Sequence, residues 1–138
     1  MSMSRDELVN IISVLSFLAH AEMDVHVAEK KVLIAVFKAA GITQEEQEKM
    51  KSNTSLEEML KHIQSVEAKH TLVELMALVA ASDGVFEEEE RVIIKKIMNR
   101  VGVGDDHPYF YDNNLDVPSV RANVGKILNS IKTLAPKP

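Results

Sequence analysis

The sequence predicts an all-α fold, a compact bundle of six or seven helices, and three observations predict it. Aromatic residues make up only 4% of the chain, Trp is absent, and aliphatics with seven Met are left to fill the core. That filling suits interlocking helices better than a β-sandwich. Apolar residues recur at three- and four-residue spacing in segment after segment, and no stretch shows sustained period-two alternation. Helix signals punctuate these segments: hydroxyl residues followed three positions later by Glu, and glycines where the periodicity stops.

Ser4-Arg-Asp-Glu7 has the capping-box pattern and opens a helix expected to reach Ala21. Leu8, Ile11, Ile12, Leu15, Leu18 and Ala19 form its main apolar stripe. Val9, Val14 and Phe17 widen that stripe, so this helix should be nearly surrounded. A second helix is expected over Ala28 to Ala40, with Val32, Leu33, Val36 and Phe37 inward and Gly41 as its stop. Thr43-Gln-Glu-Glu46 is a second box and begins a short polar helix. Ser55-Leu-Glu-Glu58 is a third, ahead of Leu56, Met59, Leu60 and Ile63.

A long helix, apolar on most sides, is expected over Glu67 to Ser82, where Asp83-Gly84 breaks it. The next runs from Glu87 to Val101 and stops at Gly102. Residues 104–117 read as a polar loop. A last helix is expected over about 118–134, capped by Asp116 and carrying Val120, Val124, Ile127, Leu128 and Ile131.

At 138 residues the chain is expected to be one domain, with 46% hydrophobic and 27% charged residues. The absence of Cys excludes disulfides, thiolate metal sites and Cys nucleophiles. A net charge of -5 without a basic cluster argues against nucleic acid as a partner. The most apolar run, Leu8 to Ala21, is too short for a bilayer span and lacks the flanks of a signal peptide. The expectation is a soluble, cytoplasmic chain without direct membrane insertion.

Shifted by 61 residues, the sequence partly matches itself. Ile11 falls on Leu72, Ile12 on Val73, Val14 on Leu75, Leu15 on Met76, Leu18 on Val79 and Ala19 on Ala80. Further on, Glu22 falls on Asp83, Glu29 on Glu90, Val36 on Ile97 and Gly41 on Gly102. Each half, about 5–42 and 66–103, reads as a buried helix, an acidic turn, an amphipathic helix and a stop glycine. Two such halves are expected to pack about a pseudo-twofold axis within the single domain.

The acidic pair recurs at a spacing of seven, Glu22 with Glu29 and Asp83 with Glu90. Glu87, Glu88 and Glu89 do not recur and read as first-turn acids favoured by the helix dipole. Two readings of the pairs stay open. In one, the carboxylates supply hard oxygen ligands to Ca²⁺ or Mg²⁺. In the other, Asp83 and Gly84 only shape the corner, and Glu90 accepts hydrogen bonds from its N–H groups.

At these residues the chain resembles the TerB-like (tellurite-resistance protein B) domain family. The hallmark Ala-x-Asp-Gly-x-hydrophobic-x-x-x-Glu matches Ala81-Ser-Asp83-Gly84-Val-Phe86-Glu-Glu-Glu-Glu90. The first copy departs from it, with Glu22 in place of Asp and Met23 in place of Gly. The resemblance covers about residues 5–103. It implies an all-helical domain in bacterial stress response and tellurite resistance, with divalent cation binding at Asp83, Glu90, Glu22 and Glu29. It also implies a protein partner, in a membrane-associated complex, and no enzymatic activity. A similar domain begins certain J-domain co-chaperones, so the alternative is a protein-interaction module whose acidic turns are structural.

Other patterns carry less. Glu67-Ala-Lys-His70 is a single ExxH, and a di-iron bundle needs two with two further glutamates. His26 and Glu29 supply two ligands, which do not make a zinc site. Asp112 to Asp116 imitates the start of an EF-hand loop, but Val117 and Asn123 stand where Gly and Glu are needed. Pro108-Tyr-Phe-Tyr111 reads as an aromatic pin for the loop, or as a sticky patch for a partner. No phosphate loop or nucleophile elbow is present, and a metal-dependent enzyme has the least support.

Overall fold

The computed structural model describes residues 3–17, 27–52, 55–81, 88–103, 110–111 and 114–132, with the backbone alone for 27–29, 51, 88–90, 110, 111, 114 and 115. Among them the helices are α1 (Arg5–Phe17), α2 (Val27–Ala40), α3 (Gln44–Lys51), α4 (Leu56–Lys61), α5 (Val66–Ala81), α6 (Glu88–Val101), α7 (Val117–Ala122) and α8 (Val124–Lys132). The all-α expectation holds. No described helix is long and apolar enough to cross a membrane.

The helices number eight among the described residues, rather than six or seven, because the C-terminal segment is two helices and not one. Asn123 breaks it, with φ -108° and ψ 11°. Its N–H donates to the Val120 carbonyl (3.0 Å), while its own carbonyl accepts from Ile127 N–H (2.9 Å). One residue therefore closes α7 and opens α8. Asp116 caps α7 as expected, accepting from Ser119 N–H at 3.3 Å and from the Ser119 hydroxyl at 2.8 Å.

The expected loop also holds a short antiparallel pair, β1 (Phe110–Tyr111) with β2 (Asn114–Leu115), in the register Phe110 to Leu115 and Tyr111 to Asn114. Pro108, Tyr109, Asp112 and Asn113 lie outside the described residues.

Helices α1 and α5 form the centre. From Leu8 to Leu15 every residue of α1 is buried, and α5 is buried from Thr71 to Ala81 except at Glu74. A helix apolar on all sides must be wrapped by others. Helix α5 packs against α1, α2, α6, α7 and α8, and α1 packs against α2, α3 and α4 as well. The polar α3 leans only an edge on this core.

Positions joined by the 61-residue shift share their environments. Ile11 and Leu72, Ile12 and Val73, and Val14 and Leu75 are all fully buried. The stop glycines match in detail. Gly41 (φ 61°) and Gly102 (φ 83°) are left-handed. Gly41 N–H donates to Lys38 O and Ile42 N–H to Phe37 O; Gly102 N–H donates to Asn99 O and Val103 N–H to Met98 O. Both are Schellman motifs with an apolar residue just beyond the cap. A Cβ on Gly102 would meet nothing within 4 Å. Gly102→Ala should therefore lose only the backbone strain term, about 1 kcal/mol in urea unfolding.

The first and second capping boxes form in full. Ser4 N–H donates to Glu7 (3.1 Å) and Glu7 N–H to Ser4 Oγ (3.1 Å). Thr43 and Glu46 exchange the same pair at 3.0 and 3.1 Å. The third is half made. Ser55 Oγ accepts from Glu58 N–H at 3.3 Å, but the Glu58 carboxylate turns to Lys61, 3.6 Å away.

Candidate functional site

The two acidic turns follow α1 and α5, the two helices most firmly held by the core. Asp83 and Glu22 lie outside the described residues, as do Gly84, Met23 and His26. The backbones of Glu29 and Glu90 are placed. Glu29 is the third residue of α2 and Glu90 the third residue of α6. The repeat thus sets one carboxylate in the first turn of each second helix, where the helix dipole favours negative charge. Asp83 comes two residues after Ala81, the end of α5. This donor set is all carboxylate, the hard oxygen chemistry that suits Ca²⁺ or Mg²⁺.

Glu7, read from the sequence as cap chemistry, and Arg5, given no role there, both reach much further. Glu7 completes the box with Ser4, and it also accepts from Ser65 N–H (2.8 Å), Gln64 N–H (3.0 Å) and the Ser65 hydroxyl (3.1 Å). Ser65 in turn caps α5 by accepting from Ala68 N–H at 3.1 Å. Ser65 is the 61-residue counterpart of Ser4, and Ala68 that of Glu7. The second half has lost its own box glutamate, and the glutamate of the first half serves both helix starts. Burial raises the Glu7 pKa, but the N–H groups of Ser65, Ser4 and Gln64 and the Ser65 hydroxyl outweigh it and hold the carboxyl below its ordinary range.

Arg5 ties three helices. Its Nη2 donates to Glu46 Oε1 at 2.7 Å and its Nε to Glu46 Oε2 at 3.0 Å, a two-pronged pair. Nη1 donates to the Ala40 carbonyl and Nη2 to the Gly41 carbonyl at 3.1 Å. A cation thus sits on the C-terminus of α2, where the dipole is negative. The hydrogen bond from Arg5 is the chief reason that the Glu46 carboxyl lies below its ordinary range. The side chains are only 26% and 21% exposed. No second clamp of this kind exists at the matching position, where Val66 is 71% exposed. Arg100 and Glu57 also form a paired contact (2.8 and 3.1 Å), but on the open surface, where such pairs add little.

Glu74 is the one polar break in the buried run of α5. Burial pushes its pKa up, against the pull of His70 and Lys126. Such a carboxyl keeps its proton to higher pH in the fold than in the unfolded chain, so its ionisation costs stability above the folded pKa. Glu74→Gln should therefore raise Tm at pH 7, and the gain should shrink as pH falls through the carboxylate range. Melts of the two proteins across pH 4 to 7 check this. His70 and Glu67, the ExxH pair, are exposed on the first turns of the same helix. Among the described residues no three metal-ligating side chains gather.

A groove of about 300 Å³ opens where α2, α5, α7 and α8 meet. Val32 and Ala35 line one wall, Val124 and Leu128 the other, and Leu78 and Ala81 the floor. Lys31 and Arg121 stand at its rim, both exposed. Four separate helices build this groove, so no local spacing announces it.

Compared with family models, residues 34–108 match the model described as tellurite resistance protein TerB, just over half of the chain. Asp83 and Glu90 fall inside the matched segment, and Glu22 and Glu29 fall before it. No curated protein and no solved structure matches the chain.

Proposed function

The chain belongs to the TerB family, and on that premise we propose that it is a non-catalytic binding module of bacterial tellurite resistance and stress response. In this reading it holds a divalent cation, Ca²⁺ or Mg²⁺, at the corner between α5 and α6. What supports the reading is that Asp83 and Glu90 both fall inside the family segment, Asp83 two positions after Ala81, the last residue of the buried α5, and Glu90 third in α6. Helix α5 is buried up to Ala81, its last residue.

The first turn, with Glu22 and Glu29, is the weaker site in this reading. It lies outside the matched segment, and Met23 replaces the glycine that eases a left-handed backbone. The cytoplasm is the compartment, and a protein partner completes the function.

A thermal melt tests the cation. Metal-stripped protein should gain several degrees in Tm with Ca²⁺ or Mg²⁺ at roughly a hundredfold its dissociation constant. Asp83→Asn and Glu90→Gln should each remove that gain. The same melting point with and without every cation, in the parent protein, would sink the reading and leave the acids as corner chemistry.

A further inference from the structure

The last two helices carry a conflict between sequence and fold. Val117, Val120, Val124, Ile127 and Ile131 recur at spacings of three, four, three and four, the stripe of one continuous helix. The fold breaks that stretch at Asn123, between α7 and α8. One side chain holds the break. In a continuous helix the Ser119 carbonyl would accept from Asn123 N–H, four residues on. Here that N–H turns to the Val120 carbonyl (3.0 Å), and Asn123 Nδ2 takes its place on the Ser119 carbonyl at 2.7 Å. Such competition with the backbone is what makes Asn a poor residue inside a helix.

Helix α8 is also lightly seated. Of its nine residues only Ile127 and Ile131 are buried. It packs chiefly on α2, in the first half of the chain, and less on α5 and α7. The groove opens between Val124 and Leu128 on α8 and Val32 and Ala35 on α2, so this contact lacks part of the dispersion of a close-packed core.

Turning Asn123 to helical angles, φ about -63° and ψ about -42°, returns the Ser119 carbonyl to the backbone N–H. It joins α7 and α8 into one rod from Val117 to Lys132, roughly 24 Å long. Helix α8 then swings off the α2 of its own chain, and Ile127, Ile131 and the α2 face are left in water. The surface that fits a released α8 is the one it left, and a second copy offers the same surface. Two chains that exchange α8 rebuild both contacts, so the hinge and the entropy of association set the balance between dimer and monomer.

We propose that Asn123 is a hinge, and that its straightening lets two copies of this chain exchange α8, each docking on the other's α2. The proposal goes beyond the cation reading and does not depend on it.

The full chain is compared with Asn123→Ala and with a variant carrying two glycines inserted between Asn123 and Val124, by sedimentation velocity up to millimolar concentration. Alanine removes the side-chain donor and favours the rod, and each dimer holds two hinges. Asn123→Ala should therefore dimerise about tenfold more tightly than the parent. Asn123→Met, a second helix-forming replacement at this half-buried position, carries the same expectation. The inserted glycines lengthen and loosen the hinge and should leave a monomer. When ¹³C-labelled and unlabelled Asn123→Ala chains are refolded together, NOEs between chains should join α8 methyls of one copy to α2 methyls of the other. No dimer in either helix-forming variant, a dimer equally tight in the parent, a dimer that the inserted glycines do not weaken, or contacts between chains that miss α2 would each overturn the proposal.

Discussion

Glu7→Ala is expected to lower the unfolding free energy by about 3 kcal/mol at pH 7, which is roughly 10 °C in Tm for a domain of this size. The loss is larger than one cap because two helices start from this carboxylate. Ser4 N–H, Gln64 N–H, Ser65 N–H and the Ser65 hydroxyl all donate to it. Bonds to an ionised acceptor are the stronger class, and their loss leaves the donors at two helix starts without it. Glu7→Gln keeps an acceptor oxygen and removes the charge, so it should fall between the parent and Glu7→Ala.

Acid carries a further signature of the same residue. The folded pKa of Glu7 lies below the ordinary 4.5. Its contribution is fully present above the unfolded value and is lost as pH falls through the folded one. Glu46 behaves in the same direction. The parent protein should lose stability steeply below about pH 4.5, and Glu7→Gln should show a shallower acid limb. Urea unfolding of both proteins between pH 3 and 7 measures this. Parallel acid limbs would mean that the Glu7 charge contributes nothing.

Arg5→Ala is expected to cost about 3 kcal/mol as well, because it strands a half-buried carboxylate and two helix-end carbonyls at once. Glu46 then keeps only its Thr43 contacts, and Ala40 and Gly41 lose their cation. Arg5→Lys should recover only part of this, since an ammonium cannot grip both Glu46 oxygens in one plane while it reaches the α2 terminus. Denaturant melts of Arg5→Ala, Glu46→Gln and the double variant separate the pair from the cap. If the pair is coupled, the double variant costs less than the sum.

Much of this architecture could be read in the chain before its fold was known. Ser4 with Glu7 and Thr43 with Glu46 are local at a spacing of three, so their boxes were legible. Gly41 and Gly102 stop their helices for a reason confined to one residue, the missing Cβ. What those residues do across the fold was not legible. The bonds from Glu7 to Ser65 and from Arg5 to Ala40 span 58 and 35 positions, and only packing brings them together. One signal was present. The shift that matches Gly41 to Gly102 also sets Ser4 on Ser65 but Glu7 on Ala68, a start with its partner missing.

The break at Asn123 escaped for a different reason. Val120, Val124, Ile127 and Ile131 keep a helical spacing straight through it. One residue, Asn123, leaves the helical region, and a break that inserts and removes no residue does not interrupt the apolar spacing. The hairpin pair at Phe110 and Leu115 is two residues long on each side, too short for alternation to show. The groove draws on four helices and leaves no mark in any one of them.

Direct titration tests the cation site proposed at the α5–α6 corner. Ca²⁺ and then Mg²⁺ are titrated calorimetrically into metal-stripped protein, and the titrations are repeated on Asp83→Asn and on Glu22→Gln. One dominant site is expected, abolished by Asp83→Asn and retained in Glu22→Gln. Heat of binding that survives Asp83→Asn unchanged, or no binding of either cation to the parent protein, would contradict it.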